Sequence, residues 1–307
     1  MKPASFLNAH LGMLLWAVLI AASFFAAAQV SQAVDPLLLT GLRLLLSALM
    51  FVPSLWLNGA FRITRAGLRA HALLGLLLAI YFASLFEALR HTSAVNTGIL
   101  FALVPLLTLL FEGVLLSGDP AKNRLLPMLL AAAGAMLLTF KGGAEGMPSL
   151  YAVGVYGVGV YGVGCLAMAG YSPLSQRLKA TSLKDRSPAA MTFWNMLFGA
   201  LFLFAFCLPG GAWRSAVLLT LDDGLWLLYL ALFATLATFW LLHRAIGVIA
   251  PATVISYIYL STLFITLFHW FGLGRQPLPS ELLGALLVGL GMFALILGSR
   301  RPAPALG

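Results

Sequence analysis

Glu87 and His91 have the residue types and the spacing of a proton relay. The two residues are four positions apart, so on a helix they share one face. A half-buried carboxylate beside an imidazole can titrate near neutrality and pass a proton. The alternative is an ion pair at a membrane surface, in contact with lipid headgroups or with Arg90. Both interpretations, a coupling role and a surface role, stay open at this stage.

Arg43 is a charged residue inside an apolar stretch. A charge in the hydrocarbon region costs on the order of 3 kcal/mol unless it faces a partner or water. Arg43 could therefore bind a substrate carboxylate or lock a gate. It could equally be a structural arginine that bonds to carbonyl groups and braces the packing of the helices.

Pro105 lies in the middle of another apolar stretch. Proline has no backbone N–H, so it removes one hydrogen bond from a helix and kinks it. The sequence predicts a kink here, which is either static or part of a conformational cycle.

Aromatic and hydroxyl side chains near the middle of several apolar stretches are the candidates for contact with a solute. Such groups around a cavity suit a small amphipathic organic molecule better than a bare ion. We expect about half of the set to face a cavity and the rest to serve packing. From this larger set, which also includes Ser84, Thr108, Thr238 and Tyr259, the candidate substrate-binding residues are Tyr81, Phe101, Trp240, Ser256, Tyr257 and Ser261.

Other polar features are interpreted as structural. Residues 157–162 match G-x-G-x-x-G, but they lie inside an apolar stretch, where a nucleotide site has no strand and no solvated helix terminus. The His, Asp and Glu residues do not have the spacing of metal ligands, so we expect no metal and no cofactor. Glu112, His243 and His269 are interpreted as residues of the membrane surface.

The composition of the chain places it in a bilayer. Of the 307 residues, 62% are apolar and 9% are charged, and the mean hydropathy is +1.00. A soluble domain carries about 25% charged residues. Cys165 and Cys207 lie in apolar runs and are expected to be buried thiols. The net charge of +9 is spread between apolar runs, which favours a role in membrane orientation over nucleic-acid binding.

The apolar stretches predict an all-α membrane protein with ten transmembrane helices. Each crossing needs about 20 apolar residues, and no stretch has the alternation of a transmembrane β-strand. The predicted spans are 11–33, 36–57, 71–89, 94–116, 124–140, 150–174, 189–208, 225–243, 250–272 and 280–298.

The lysines and arginines predict the orientation of these ten spans. With the N-terminus inside, thirteen of the eighteen basic residues fall on the inner side and four on the outer side, and Arg43 is embedded. Cytoplasmic segments carry the excess of Lys and Arg. Both termini are therefore predicted to be cytoplasmic, in the inner (plasma) membrane.

The sequence contains an internal duplication. At an offset of 157, residues 82–138 align with 239–295 without a gap, and pair Pro120 with Pro277 and Gly134 with Gly291. Nearer the start of each half the offset is 152, which pairs Arg43 with Asn195. The predicted repeats are 11–140 and 150–298, with five helices each. Because five is odd, the second repeat is inverted, which is the architecture of alternating access.

Segments in both halves of the chain resemble the repeat of EamA-type transporters. The first half has Leu15-Trp16-Ala17, Asp35-Pro36 and the run 88–105 (ALRHTSAVNTGILFALVP), and the second half has 245–262 (AIGVIAPATVISYIYLST). The chain resembles this family over residues 11–298. Ser117-Gly118-Asp119 stands where the family usually has Gly-Glu.

The resemblance implies membership of the drug/metabolite transporter superfamily, with ten helices in two inverted repeats. It implies a secondary carrier that exports amino acids or related metabolites, with helices 1, 3, 4, 6, 8 and 9 around the cavity. The expected partners are a small-molecule substrate and the bilayer, and homodimer formation stays open. A membrane-embedded enzyme that acts on a lipid is the alternative function. Internal duplication with an odd number of spans favours the carrier.

Overall fold

The computed structural model describes residues 3–57, 59, 61–91, 94–116, 122–139, 155–184, 186–246 and 248–299. In these segments the regular elements are all helical. The predicted spans ending at 140 and beginning at 150 therefore lie partly outside the described residues, as does Ser117-Gly118-Asp119.

Six α-helices form the described part of the first half. Local sequence explains their limits: Pro36 begins the second helix, and the Thr64 hydroxyl caps the third by accepting the Gly67 N–H at 3.0 Å. The helices are α1 (Pro3–Ala27), α2 (Pro36–Leu57), α3 (Arg65–Leu89), α4 (Ala94–Ala102), α5 (Val104–Leu115) and α6 (Lys122–Thr139).

Seven α-helices form the described part of the second half. Ser187 caps its second long helix ahead of Pro188, and Thr220 with Asp223 forms a capping box at the next one. The α-helices are α7 (Val155–Ala180), α8 (Pro188–Gly210), α9 (Leu221–Tyr229), α10 (Thr238–Ala245), α11 (Pro251–Ser256), α12 (Ile258–Leu267) and α13 (Pro279–Gly298). A 3₁₀ segment covers Ala212–Leu218, and π-helical segments cover Leu230–Ala237 and Phe268–Gly272.

Eight of the described helical stretches are long and apolar enough to cross a membrane. They include α1, α2, α3, α8 and α13, and the combined stretches Thr97–Leu115, Leu221–Ala245 and Pro251–Gly272. The shorter apolar stretch Asn123–Thr139 lies within α6. The part of the chain that the structure describes is therefore all-helical, and it has enough long apolar helices for a multi-pass membrane protein.

Three of the long stretches are interrupted. α4 and α5 are separated at Leu103, two residues before Pro105, as the missing proline N–H predicts. α11 and α12 are separated at Tyr257. The π segment Leu230–Ala237 joins α9 to α10, and the Ala231 carbonyl accepts a hydrogen bond from Ser47 Oγ of α2 at 2.8 Å.

The first helix of each half packs against helices of the other half. α1 contacts α10 and α12, and α7 contacts α3 and α5. α6 and α13 pack along their length, with Gly134 and Gly291 at the points of closest backbone approach. The two halves thus form one interlocked bundle.

Hydrogen bonds identify the two ends of this bundle. At one end, here called the terminal face, Ser299 after α13 lies 3.3 Å from His10 of α1. At the other end, here called the loop face, the α1–α2 connection binds the start of α9 through the Ser31 N–H and Asp223 at 2.7 Å. The beginning of α1 and the end of α13 therefore lie at the same end.

Candidate functional site

A cavity of about 370 Å³ lies near the loop face, between the ends of α1 and α3, the beginning of α2 and the junction of α9 with the π segment Leu230–Ala237. Polar groups from Ser31, Gln32, Thr40 and Arg43 line it, and the rest of the wall is mainly apolar. We call it the Arg43 cavity. The other lining residues are Ala27, Val30, Val34, Pro36, Leu39, Phe86, Leu227 and Leu230.

Arg43 is the charged residue in the wall of this cavity. Its guanidinium lies over the Phe82 ring, 5.6 Å from the ring centre, and its buried Nε has no hydrogen-bond partner among the described residues. Within that part of the chain, no carboxylate lies at ion-pair distance from it. A cation held in this way favours an anionic group in the cavity.

Glu87 and His91 lie at the loop face, where they are partly exposed. Glu87 is 3.1 Å from His91 and 3.3 Å from Arg90, and Arg90 also reaches Asp35 of the α1–α2 connection at 3.3 Å. Exposed ion pairs of this kind are worth about 0–1 kcal/mol each. The cluster joins the α1–α2 connection to the end of α3.

A second cavity, of about 480 Å³, lies on the other side of the end of α1. Its wall is largely aromatic and aliphatic, with Gln29 as a polar member. The aromatic residues are Phe25, Trp226, Tyr229, Phe264 and Phe268. This composition suits an apolar occupant better than a charged one.

Tyr81 and Phe101 are brought together by α3 and α4. Their ring centres are 5.8 Å apart, and Tyr161 of α7 lies 6.3 Å from Tyr81. Gly164 allows the close approach of α3 and α7, since a Cβ there would lie 2.8 Å from Ser84 Cβ. Tyr81 is buried, so these rings form a packed cluster.

Tyr257 is fully buried at the break between α11 and α12. Its hydroxyl lies 2.6 Å from His10 Nδ1. Ser256 and Ser261 are also buried, and each donates to a carbonyl of its own helical segment, at 2.7 Å. The Arg244 guanidinium lies over Trp240, with its carbon atom 5.4 Å from the centre of the Trp240 ring.

The six candidate substrate-binding residues are not among the residues that line the two cavities above. Four of them, Tyr81, Ser256, Tyr257 and Ser261, are buried in this conformation. Their contact with a solute stays a prediction, which requires a conformation in which they are accessible.

A buried polar network near the terminal face was not predicted from the sequence. His71 Nδ1 lies 2.6 Å from Asn195 Oδ1, Asn195 Nδ2 donates to the Tyr171 hydroxyl at 2.9 Å, and Tyr171 Oη is 3.1 Å from His243 Nε2. Four helices, α3, α8, α7 and α10, supply these residues. We call it the Asn195 network.

The prediction that His243 and Glu112 lie at the membrane surface is wrong. His243 is only 2% exposed because it is part of the Asn195 network. Glu112 is buried because it pairs with Arg124 and accepts the Ala252 N–H at 3.0 Å. The pairing of Arg43 with Asn195 in the duplication is the signal that could have directed attention to the network.

The part of the chain that the structure describes has no group of three or more His, Cys, Asp or Glu residues able to hold a metal ion. The polar groups near the Arg43 cavity come instead from one arginine, hydroxyls and an amide.

Comparison with known proteins gives consistent matches. The sequence model of the EamA-like transporter family matches residues 7–140 and again 156–297. An uncharacterized transporter of Bacillus subtilis (strain 168), YyaM, is 25% identical over 255 residues, which is 81% of this chain and 80% of YyaM. A protein of known crystal structure has the same fold, with a TM-score of 0.77 at 18% identity over 98% of this chain and 99% of its own.

Proposed function

The chain belongs to the EamA-like transporter family, and from that premise we propose that it is a secondary transporter that exports a small organic metabolite carrying a carboxylate. An amino acid or an amino-acid derivative fits this class. The proposed site is the Arg43 cavity, which at about 370 Å³ is within the usual range for small-molecule sites.

The environment of Arg43 in the cavity wall is the observation that supports a substrate with a carboxylate. In the described part of the chain the buried Nε of Arg43 has no hydrogen-bond partner, and the Phe82 ring over which the guanidinium lies offers no negative charge. A carboxylate would form charge-assisted hydrogen bonds with the guanidinium, and Ser31, Gln32 and Thr40 would bind the remaining polar atoms. The apolar wall would then contact the side chain of the solute.

The proposal includes ten crossings in two inverted repeats. α7 has 26 residues and packs against α3 and α5, which supports counting it as a crossing. α6 has 18 residues, or about 27 Å of helix, and packs along α13. Repeats of this kind allow one central site to open to either side.

The proposed orientation puts the terminal face in the cytoplasm of a cell with an inner membrane. The described ends of helices at that face carry Arg65, Arg69, Arg177, Lys179 and Lys184, whereas those at the loop face carry Arg90, Arg214 and Arg275. The excess of basic residues at the terminal face supports this orientation. The Arg43 cavity then lies on the external side.

Uptake by the purified protein in liposomes tests the substrate class. Radiolabelled amino acids would be compared with their carboxamide analogues, which have the same shape and lack the negative charge. We expect saturable uptake of at least one amino acid and at least tenfold weaker competition by its carboxamide. Equal competition by the two would contradict the role of a carboxylate.

A further inference from the structure

We infer that the Asn195 network is the closed cytoplasmic gate of the transport cycle, with Asn195 as the residue that joins its four helices. The inference rests on the proposed function, because a gate has this meaning only in a carrier. In this account, the contacts of the Asn195 network must break before the solute site can open at the terminal face.

The hydrogen bonds of the network have a defined direction. The Asn195 Oδ1 atom can only accept, so His71 donates from Nδ1, at 2.6 Å. Asn195 Nδ2 donates to the Tyr171 hydroxyl at 2.9 Å and lies 3.3 Å from His243 Nε2. The Tyr171 hydroxyl completes the network by donating to His243 Nε2 at 3.1 Å. One amide of α8 therefore connects α3, α7 and α10.

Two residues of the network correspond, through the internal duplication, to two residues that line the Arg43 cavity. Asn195 is the counterpart of Arg43 at the offset of 152, and His243 is the counterpart of Phe86 at the offset of 157. Arg43 and Phe86 both line the cavity. The two ends of the bundle thus differ: the loop face has a cavity where the terminal face has buried hydrogen-bonded side chains.

Unpartnered polar atoms lie next to the network. His71 Nε2, Ser172 Oγ, Ser175 Oγ and Gln176 Oε1 are buried without a hydrogen-bond partner among the described residues. Ser175 is one helical turn beyond Tyr171 in α7. Buried polar atoms without partners are rare and costly in a protein that has a single conformation. An opening of the terminal face would hydrate these atoms, which gives a physical reason for the three on α7 and for His71 Nε2 on α3.

Cysteine accessibility tests the gate without any solute. The two native cysteines would first be replaced (Cys165→Ala, Cys207→Ala), and Ser175→Cys would then report on the terminal face. A membrane-impermeant maleimide would be added to inside-out vesicles. We expect Asn195→Ala to raise the labelling rate at least about tenfold, a change of about 1.4 kcal/mol and close to one net hydrogen bond.

A second reporter separates gate opening from general loosening. Thr40→Cys lies in the wall of the Arg43 cavity and would be labelled from the outside of right-side-out vesicles. Because opening of one face accompanies closure of the other, Asn195→Ala should lower its labelling rate. A rise at both reporters, or no change at Ser175→Cys, would overturn the gate.

Two further variants complete the test. Thr192→Ala, one turn from Asn195, removes a hydroxyl that bonds to the Pro188 carbonyl of its own helix, and should leave both rates unchanged. If Asn195→Ala fails to reach the membrane, Tyr171→Phe removes only the central hydroxyl and should give the same opposed changes. The labelling rates can be interpreted even if the solute assay fails. An unchanged labelling rate at Ser175→Cys would overturn the gate but would not bear on the proposed substrate class.

Discussion

Gly134 and Gly291 make the same contact from opposite sides of the α6–α13 interface. A Cβ on Gly134 would lie 2.6 Å from the Gly284 carbonyl oxygen and 2.7 Å from the Val288 nitrogen. A Cβ on Gly291 would lie 2.6 Å from the Pro127 carbonyl oxygen and 2.7 Å from the Ala131 nitrogen. The offset of 157 relates each of these residues to its counterpart, so the packing of the two helices follows the duplication.

The two glycines should therefore be equally intolerant of a side chain. Gly134→Ala and Gly291→Ala each place a methyl group against backbone, which costs about 1–3 kcal/mol through overpacking. We expect both variants to lower the thermal midpoint of the protein in detergent by similar amounts. Gly289→Ala is the matched control in α13, since nothing lies within 4 Å of its Cβ position. A large difference between the two variants would contradict the equivalence.

Reporter fusions test the proposed orientation. A reporter after Lys184, which follows α7 at the terminal face, should be active in the cytoplasm, and a reporter after Arg214, at the loop face, should be active outside. The expected basis is the excess of basic residues at the terminal face. The reverse pattern would exclude cytoplasmic termini.

Tyr257 offers a test of a predicted solute contact. If its ring contacts the solute, Tyr257→Ala should lower transport by about tenfold, because a buried aromatic contact is worth about 0.5–1.5 kcal/mol beyond the area it buries. Tyr257→Phe keeps the ring but loses the hydrogen bond to His10, so it should reduce stability and retain most of the transport. Leu129→Ala, at a half-exposed position of α6, should do little. Equal transport by the Ala variant and the wild type would remove Tyr257 from the site.

The substitution Glu87→Gln distinguishes a proton relay at Glu87 and His91 from a surface cluster of ion pairs. Because Glu87, Arg90 and His91 are partly exposed, we expect Glu87→Gln to change transport by less than about twofold and to preserve its dependence on pH. Flux measured from pH 5 to 8 provides the test, with Arg214→Gln as the surface control. Loss of the pH dependence in Glu87→Gln alone would assign the relay to this pair.

The sequence predicted the features that depend on hydrophobicity, on proline and on a buried charge. Apolar length identified the spans that the described helices confirm, and proline chemistry predicted the interruption beside Pro105. The cost of a charge in an apolar span directed attention to Arg43, which lines a cavity. These are local properties of a segment, so they need no knowledge of its neighbours.

The sequence could not predict which buried polar groups meet across helices. His71, Asn195, Tyr171 and His243 come from four helices, and their hydrogen bonds follow from the packing of all four. Ser256 and Ser261 illustrate the converse, since a serine in a helix can satisfy its hydroxyl with its own helical carbonyl. In either case a polar residue lies in an apolar span, and only the tertiary structure shows whether its hydrogen-bond partner is on its own helix or on another.

Counterflow through the purified protein in liposomes tests most directly whether Arg43 binds the carboxylate of a transported solute. Liposomes loaded with the unlabelled amino acid should accumulate the labelled one transiently. Arg43→Gln should abolish this accumulation, Arg43→Lys should retain part of it, and Arg214→Gln should leave it unchanged. Accumulation at the wild-type rate by Arg43→Gln would contradict the assignment of the Arg43 cavity as the solute site.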